Sequence, residues 1–175
     1  MSVLRSTLAA TIEAELVWFQ ARLAYRFEDQ AGTADDAPPP PAPSLAQADD
    51  AYAALCREAR LDEDARLVLI LALAPGLRPQ ALDPLLTRNA ATDRAFTEFG
   101  GVPGAPGFRP TRETALFLLA GQDMARRLAA MGMFASDAPL VRHQLLARQG
   151  DDVAPGLALD PHPELLGRLI ASAGG

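Results

Sequence analysis

The stretch "ARLVLILALAPG", residues 65–76, constrains the fold more than any other. From Leu67 to Pro75 it carries no polar side chain, and Asp62, Glu63 and Asp64 just before it suit the positive N-terminal end of a helix. Pro75 and Gly76 are expected to stop that helix. A helix that is apolar all round must be covered all round, so the other elements have to surround it. The run falls far short of the ~20 apolar residues that a membrane span needs, and it reads as a core helix.

The neighbouring segments supply the cover. Leu4, Leu8, Ile12, Leu16, Phe19, Leu23 and Phe27 recur at steps of three or four between Val3 and Phe27, with Arg5, Glu13, Arg22 and Arg26 off the stripe. That spacing predicts one long amphipathic helix, its apolar face covered by the rest of the chain or by a neighbouring subunit. "AGTADDAPPPPAPS", residues 31–44, can neither propagate a helix nor donate to a strand ladder, and reads as an extended linker. Further helices are expected over 45–60, from Pro79 to Arg88, from a Thr111 N-cap to a Gly121 stop, and from an Asp123 cap to about Met131. Beyond Pro139, "LVRHQLLARQ" and "GLALD" bracket the turn-rich "GDDVAP" and read as two antiparallel strands, with a helix over Leu140 to Gln149 as the alternative, before "PHPELLGRLIASA" closes the chain as a helix. The expected fold is mainly α. Residues 1–30 form the N-terminal helix, 31–44 the Pro-rich linker, and 45–175 a winged-helix-like domain with a small C-terminal β-hairpin.

A chain of 175 residues buries one good core. Its net charge of -6 argues against a nucleic-acid partner, which needs a basic stripe to release counterions from phosphate. Through Arg66 twelve acids face six arginines, while the remainder carries ten of each. All 16 basic residues are arginine. Without lysine the chain can form neither a Walker A loop nor a Schiff base nor a kinase-type site. Cys56, the one cysteine, forms no disulfide framework and falls at a helical spacing that suits a small buried hydrophobe. No basic region followed by an apolar core opens the chain, and the expectation is a soluble cytoplasmic protein with no membrane partner.

Chemistry-bearing residues are sparse. "FTEFGG", residues 96–101, leads into a loop with Gly104 and Gly107 that matches neither GxGxxG nor GxxxxGK[ST], so its glycines serve positive φ angles in a surface loop. Phe96, Phe99 and Phe108 are expected to anchor that loop on the core. Glu98, set between aromatics, has to be solvated, hydrogen-bonded or shifted in pKa, and turn N–H groups are its simplest partners. Asp93, Glu98 and Glu113 contain the makings of a carboxylate pair, though nothing in the sequence fixes their separation. His143 and His162 are far apart and lack ligand-like neighbours, so no metal site is expected. Arg126, Arg127, Arg142 and Arg148 are the arginines that a DNA-contacting helix and wing would use.

The ordered set FTEFGG, GFRPT and ETALFLLAG, within a stretch from about Leu61 to Leu128, resembles the N-terminal winged-helix region ahead of the ATPase module in a group of bacterial AAA+ proteins. That group includes those encoded with extracellular contractile injection systems. "LVRHQLLARQ" and "LALDPHPELLGRL" carry weaker echoes, and Arg112 stands where the family pattern has Gly. The resemblance implies a non-catalytic interaction domain that recognises a protein substrate or assembly partner. Under that reading the partner-binding residues are Phe96, Glu98, Phe99, Gly100, Gly101, Phe108 and Glu113. It also implies no cofactor in this chain, ATP and Mg in the full-length protein, and a homo-oligomer contact through the N-terminal helix. The alternative is a DNA-binding winged-helix regulator.

Overall fold

The computed structural model describes residues 2–149 and 154–173. Its described helices are α1 (Ser2–Gln30), α2 (Ala51–Glu58), α3 (Glu63–Leu77), α4 (Arg112–Ala120), α5 (Met124–Met131), α6 (Pro139–Arg142) and α7 (Leu165–Ala173). Strands β1 (Arg88–Asn89) and β2 (Arg94–Ala95) pair antiparallel, with Arg88 opposite Ala95. The fold is therefore mainly helical with a small two-stranded sheet.

Helix α3 lies where its composition requires. Every residue from Leu67 to Ala74 is at most 1% exposed. Helices α1 and α4 and the 3-10 turn Pro79–Leu86 pack against it, and one apolar cluster runs from Leu16 to Leu169. Asp62 caps it, Oδ1 accepting from the Ala65 N–H at 2.8 Å, and Glu63 and Asp64 fill its first turn. The helix continues through Pro75 to Leu77 instead of stopping at Pro75-Gly76. A proline this near the end forfeits a single ladder bond, and the Arg78 N–H still closes onto the Ala74 carbonyl at 2.7 Å.

Helix α1 covers one flank of α3 from within the same chain. Leu16, Phe19 and Leu23 are buried and Leu8, Ile12 and Phe27 half-buried, while the side chain of Leu4 lies outside the described residues. Residues off this stripe are buried too. Arg22 and Arg26 are almost fully covered, and Glu15 is 0% exposed. A carboxylate survives such burial only when paired and hydrogen-bonded. Glu15 accepts from the Tyr52 hydroxyl at 2.7 Å and from the Arg66 guanidinium, whose Nη2 also donates to the Pro43 carbonyl at 2.8 Å. One turn away, the Thr11 hydroxyl donates to Asp50 at 2.5 Å.

The Pro-rich segment has no regular secondary structure, as its prolines dictate, yet it is bound along α1 and α3. The Trp18 indole donates to the Pro40 carbonyl at 3.0 Å, and the Ala42 N–H donates to Glu63 at 3.0 Å. The guanidinium groups of Arg22 and Arg66 lie 6.0 and 5.6 Å from the Trp18 ring centre. Helix α2 begins at Ala51, six residues later than the expected start at 45, because Asp50 accepts from the Ala53 N–H at 3.1 Å and so caps it there. Residues Pro79–Leu86 form a 3-10 turn.

The expected C-terminal hairpin takes another form, and the one described two-stranded sheet lies instead at residues 88–95. The first part of "LVRHQLLARQ" belongs to α6, with Pro139 in its first turn. The rest pairs with the segment before α7 only through an isolated antiparallel bridge, Leu146 opposite Pro161. Pro161 has no N–H to donate, which limits the ladder at that point. Bonds from the Ala147 N–H to Asp160 O and from the His162 N–H to Leu145 O, both 3.0 Å, flank the bridge. The intervening turn, residues 150–153, lies outside the described residues.

Glu15→Ala is expected to destabilise the fold by about 3–5 kcal/mol in urea unfolding, because it leaves the Arg66 charge uncompensated. Burial pushes the Cys56 thiol up to about 12 and the Tyr52 phenol well above its ordinary range, and the Glu15 charge adds to both. The folded state thus holds protons that the unfolded chain loses above ~8.5 for the thiol and ~10 for the phenol. The contribution of these two groups to stability is therefore full below about pH 8.5 and is lost as pH rises toward about 12. In a series of urea midpoints, Cys56→Ala is expected to remove the decline that begins near pH 8.5 and to keep the one that begins near pH 10.

Candidate functional site

The FTEFGG corner is built onto the N-terminus of α4. Residues Thr97–Phe99 form one 3-10 turn, and Gly100 and Gly101 follow with φ of 67° and 98°. The Thr114 hydroxyl donates to the Phe99 carbonyl at 2.7 Å and accepts from the Thr111 N–H at 3.0 Å, while the Gly101 N–H donates to Thr111 Oγ1 at 3.2 Å. A Cβ at Gly100 would run into Thr111 Oγ1 and come within 2.9 Å of the Thr114 backbone nitrogen. Glycine there is a requirement of close approach as well as of φ. The remaining N–H groups of the α4 start are occupied as well: those of Arg112 and Glu113 donate to Leu157 O at 3.0 Å and Pro155 O at 2.8 Å. This helix start is closed to anions by its own chain.

Beneath the corner is an aromatic cluster. Phe99 is buried, with ring centres at 4.9 Å from Phe96, 4.9 Å from Phe117 and 5.2 Å from Phe27, the last edge-on. Phe96 and Phe108 are half-buried and pack against the core, Phe108 against Gly101. Of the expected site residues, Phe99 thus has its ring inside. Phe96, Gly100, Gly101 and Phe108 border a groove of about 490 Å³ along the Gly/Pro loop.

The carboxylates are held by side chains, not by turn N–H groups. Glu98 accepts from the Gln30 amide at 2.6 Å. Glu113 takes a two-pronged contact from Arg127 at 2.8 and 2.6 Å, and these bonds hold Arg127 firmly in its charged form. Glu98 and Glu113 line one depression of about 570 Å³ with Gly100, Gly101 and Thr111, whereas Asp93 is paired with Arg88 on the exposed β-hairpin. Arg112 is buried with its guanidinium 5.1 Å from the Phe134 ring centre. His162 accepts from the Glu164 N–H at 3.2 Å, and among the described residues no group of three His, Cys, Asp or Glu side chains is placed to hold a metal.

Glu98 also faces a second cavity that sequence reasoning missed. It has a volume of about 360 Å³ and is lined by Asp29, Gln30, Glu98, Phe117, Gly121 and Gln122. Its wall is fixed by Arg26, which reaches from α1 to the end of α4: Nε donates to Leu118 O and Nη2 to Leu119 O, both at 3.2 Å, and Nη1 to Asp29 at 2.6 Å. A Cβ on Gly121 would lie 2.7 Å from Arg26 Nη1, so the helix-stop glycine also makes room for this clamp. No local pattern announces it, since Arg26 lies off the apolar stripe of α1 and Gln30 and Glu98 are 68 residues apart.

Gly100→Ala is expected to cost more stability than Gly104→Ala, although both residues have positive φ. Gly104 has open space around it, and alanine there bears only the left-handed strain of about 1–2 kcal/mol. Gly100→Ala must in addition displace the start of α4. Thermal melts of the two variants compare them directly.

Set against protein-family models, curated proteins and solved structures, the chain gives no match in any of the three comparisons.

Proposed function

We propose that this chain is a protein-recognition module: a winged-helix-like, non-catalytic N-terminal domain that serves an AAA+ ATPase by docking a protein substrate or assembly partner at the FTEFGG corner. One observation carries the docking part. The half-buried rings of Phe96 and Phe108 border an open groove on a loop that side-chain hydroxyls fix to α4. A preorganised apolar edge of that kind loses little entropy on binding a polypeptide. The ATPase context is supported by the resemblance of residues 61–128, and the absence of lysine is compatible with it.

The reactive groups fit the same reading. Cys56, buried and held as the thiol, is a poor nucleophile, and Glu113 is committed to Arg127. That ion pair also weighs against the DNA reading, because Arg127 already has an anionic partner.

Phe108→Ala and Glu98→Ala are each expected to weaken binding to a contractile injection-system component at least about tenfold, read by biolayer interferometry, if Phe108 anchors the partner. Equal affinity of wild type and both variants would sink the assignment. Duplex DNA at low ionic strength is expected to show no binding, and binding that weakens linearly in log[salt] would favour the regulator instead.

A further inference from the structure

The groove along the Gly/Pro loop pairs an uncovered apolar floor with a charge opposite to that of the chain. Phe96, Val102 and Phe108 line it half-buried, and Leu86 beside them is 49% exposed. In the loop wall, Gly104 and Gly107 have open space around them, so no side chain reaches over the floor from those positions. Arg88 and Arg109 also line the groove, and no Asp or Glu does so among the described residues. In a chain of net charge -6 that is a local reversal.

The acidic partners of these two arginines stand outside the lining, and each engages a single edge of its guanidinium. Arg109 spends Nε and Nη2 on Asp160, at 3.2 and 2.6 Å. Arg88 spends Nε on the Asp93 carboxylate at 3.1 Å and Nη2 on the Asp93 carbonyl. In both, Nη1 has no partner among the described residues, and the side chains of Arg88 and Arg109 are 59% and 47% exposed. A guanidinium carries five N–H donors in a fixed fork, so the open edge suits a second carboxylate. Arg127 differs, because both of its terminal nitrogens are spent on Glu113. An occupant that matches the groove therefore brings an apolar side chain for the floor and carboxylates for the rim. Duplex DNA has the charge but no large side chain to cover the floor. A volume of about 490 Å³ is the size of a small-ligand cleft and suits a few side chains of a short segment.

We propose that this groove takes a short acidic segment of the bound protein, with one large apolar side chain against Phe96 and Phe108 and neighbouring carboxylates on the Nη1 edges of Arg88 and Arg109. The inference deepens the docking function above and rests on it, since it names the chemistry that the partner presents. The test titrates three end-blocked pentapeptides into the 15N-labelled chain: Glu-Asp-Phe-Asp-Glu, its amide twin Gln-Asn-Phe-Asn-Gln, and Glu-Asp-Ala-Asp-Glu, which lacks the anchor. The first is expected to shift the Gly104 and Gly107 backbone amides saturably, with an affinity that falls as salt is raised. The other two are expected to bind at least about tenfold more weakly. A double variant, Arg88→Gln with Arg109→Gln, is expected to bind the acidic peptide no better than the amide twin. If it unfolds, Arg88→Gln on the exposed hairpin stands in, with an expected loss of about threefold. Equal shifts from the acidic peptide and its amide twin, no saturable shift, or unchanged affinity in a folded variant would overturn the proposal. So would the same shifts produced by a short DNA duplex, or by raising the protein concentration alone. Failure of the acidic peptide while Phe108→Ala still weakens the partner overturns the groove chemistry alone. A Phe108→Ala chain that keeps its partner, while the acidic peptide binds wild type, overturns the docking function alone.

Discussion

A helix with no polar face can persist in water only if something covers each of its sides, and α3 imposes that condition on the whole chain. Eight consecutive residues from Leu67 to Ala74 are sealed, and no single neighbour is wide enough to do it. Helix α1 takes one flank, α4 another, and the Pro79–Leu86 turn folds back over the C-terminal end. Burying that much aliphatic surface supplies the main driving force for the fold. The polar residues then fall where the packing leaves them, some of them inside.

That order of priority explains the Glu15 network. Glu15 is not among the apolar residues of the α1 stripe, but the second layer on α1, made by α2 and the Pro-rich segment, covers it as well. The carboxylate is satisfied by Tyr52 and Arg66, residues 37 and 51 positions away, and no local pattern announces such partners. The same holds for Arg22 and Arg26. Each looks like a solvent-facing residue on a helical wheel, and each is buried by an element that arrives from far along the chain.

Much of the architecture was legible because it depends on local rules. The caps at Thr111 and Asp123, the acids at the start of α3, the Gly121 stop and the long α1 all follow from side chains within a turn of the feature they set. What was not legible depends on long-range pairing. A hairpin pattern after Pro139 gave way to a short helix and one isolated bridge, since Pro139 starts a helix well and Pro161 cannot donate to a ladder. At the corner, the loop glycines and the inward Phe99 were readable from composition. The Gln30 contact to Glu98 was not, and with it the cavity was hidden from sequence.

The run of prolines reads on paper as a place to cut. In space it is a seam stitched back along α1, with Trp18 joined to residue 40, Glu15 meeting residue 43 through Arg66, and Thr11 joined to residue 50. Three such ties in descending order on one strand and ascending order on the other fix the pairing as a zipper does, so a deletion inside the seam shifts every later tie out of step. A chain begun at residue 45 would lose the carboxylate opposite Arg66 and bare one side of its most oily helix. The boundary that composition suggests is thus the line along which the two halves are sewn together.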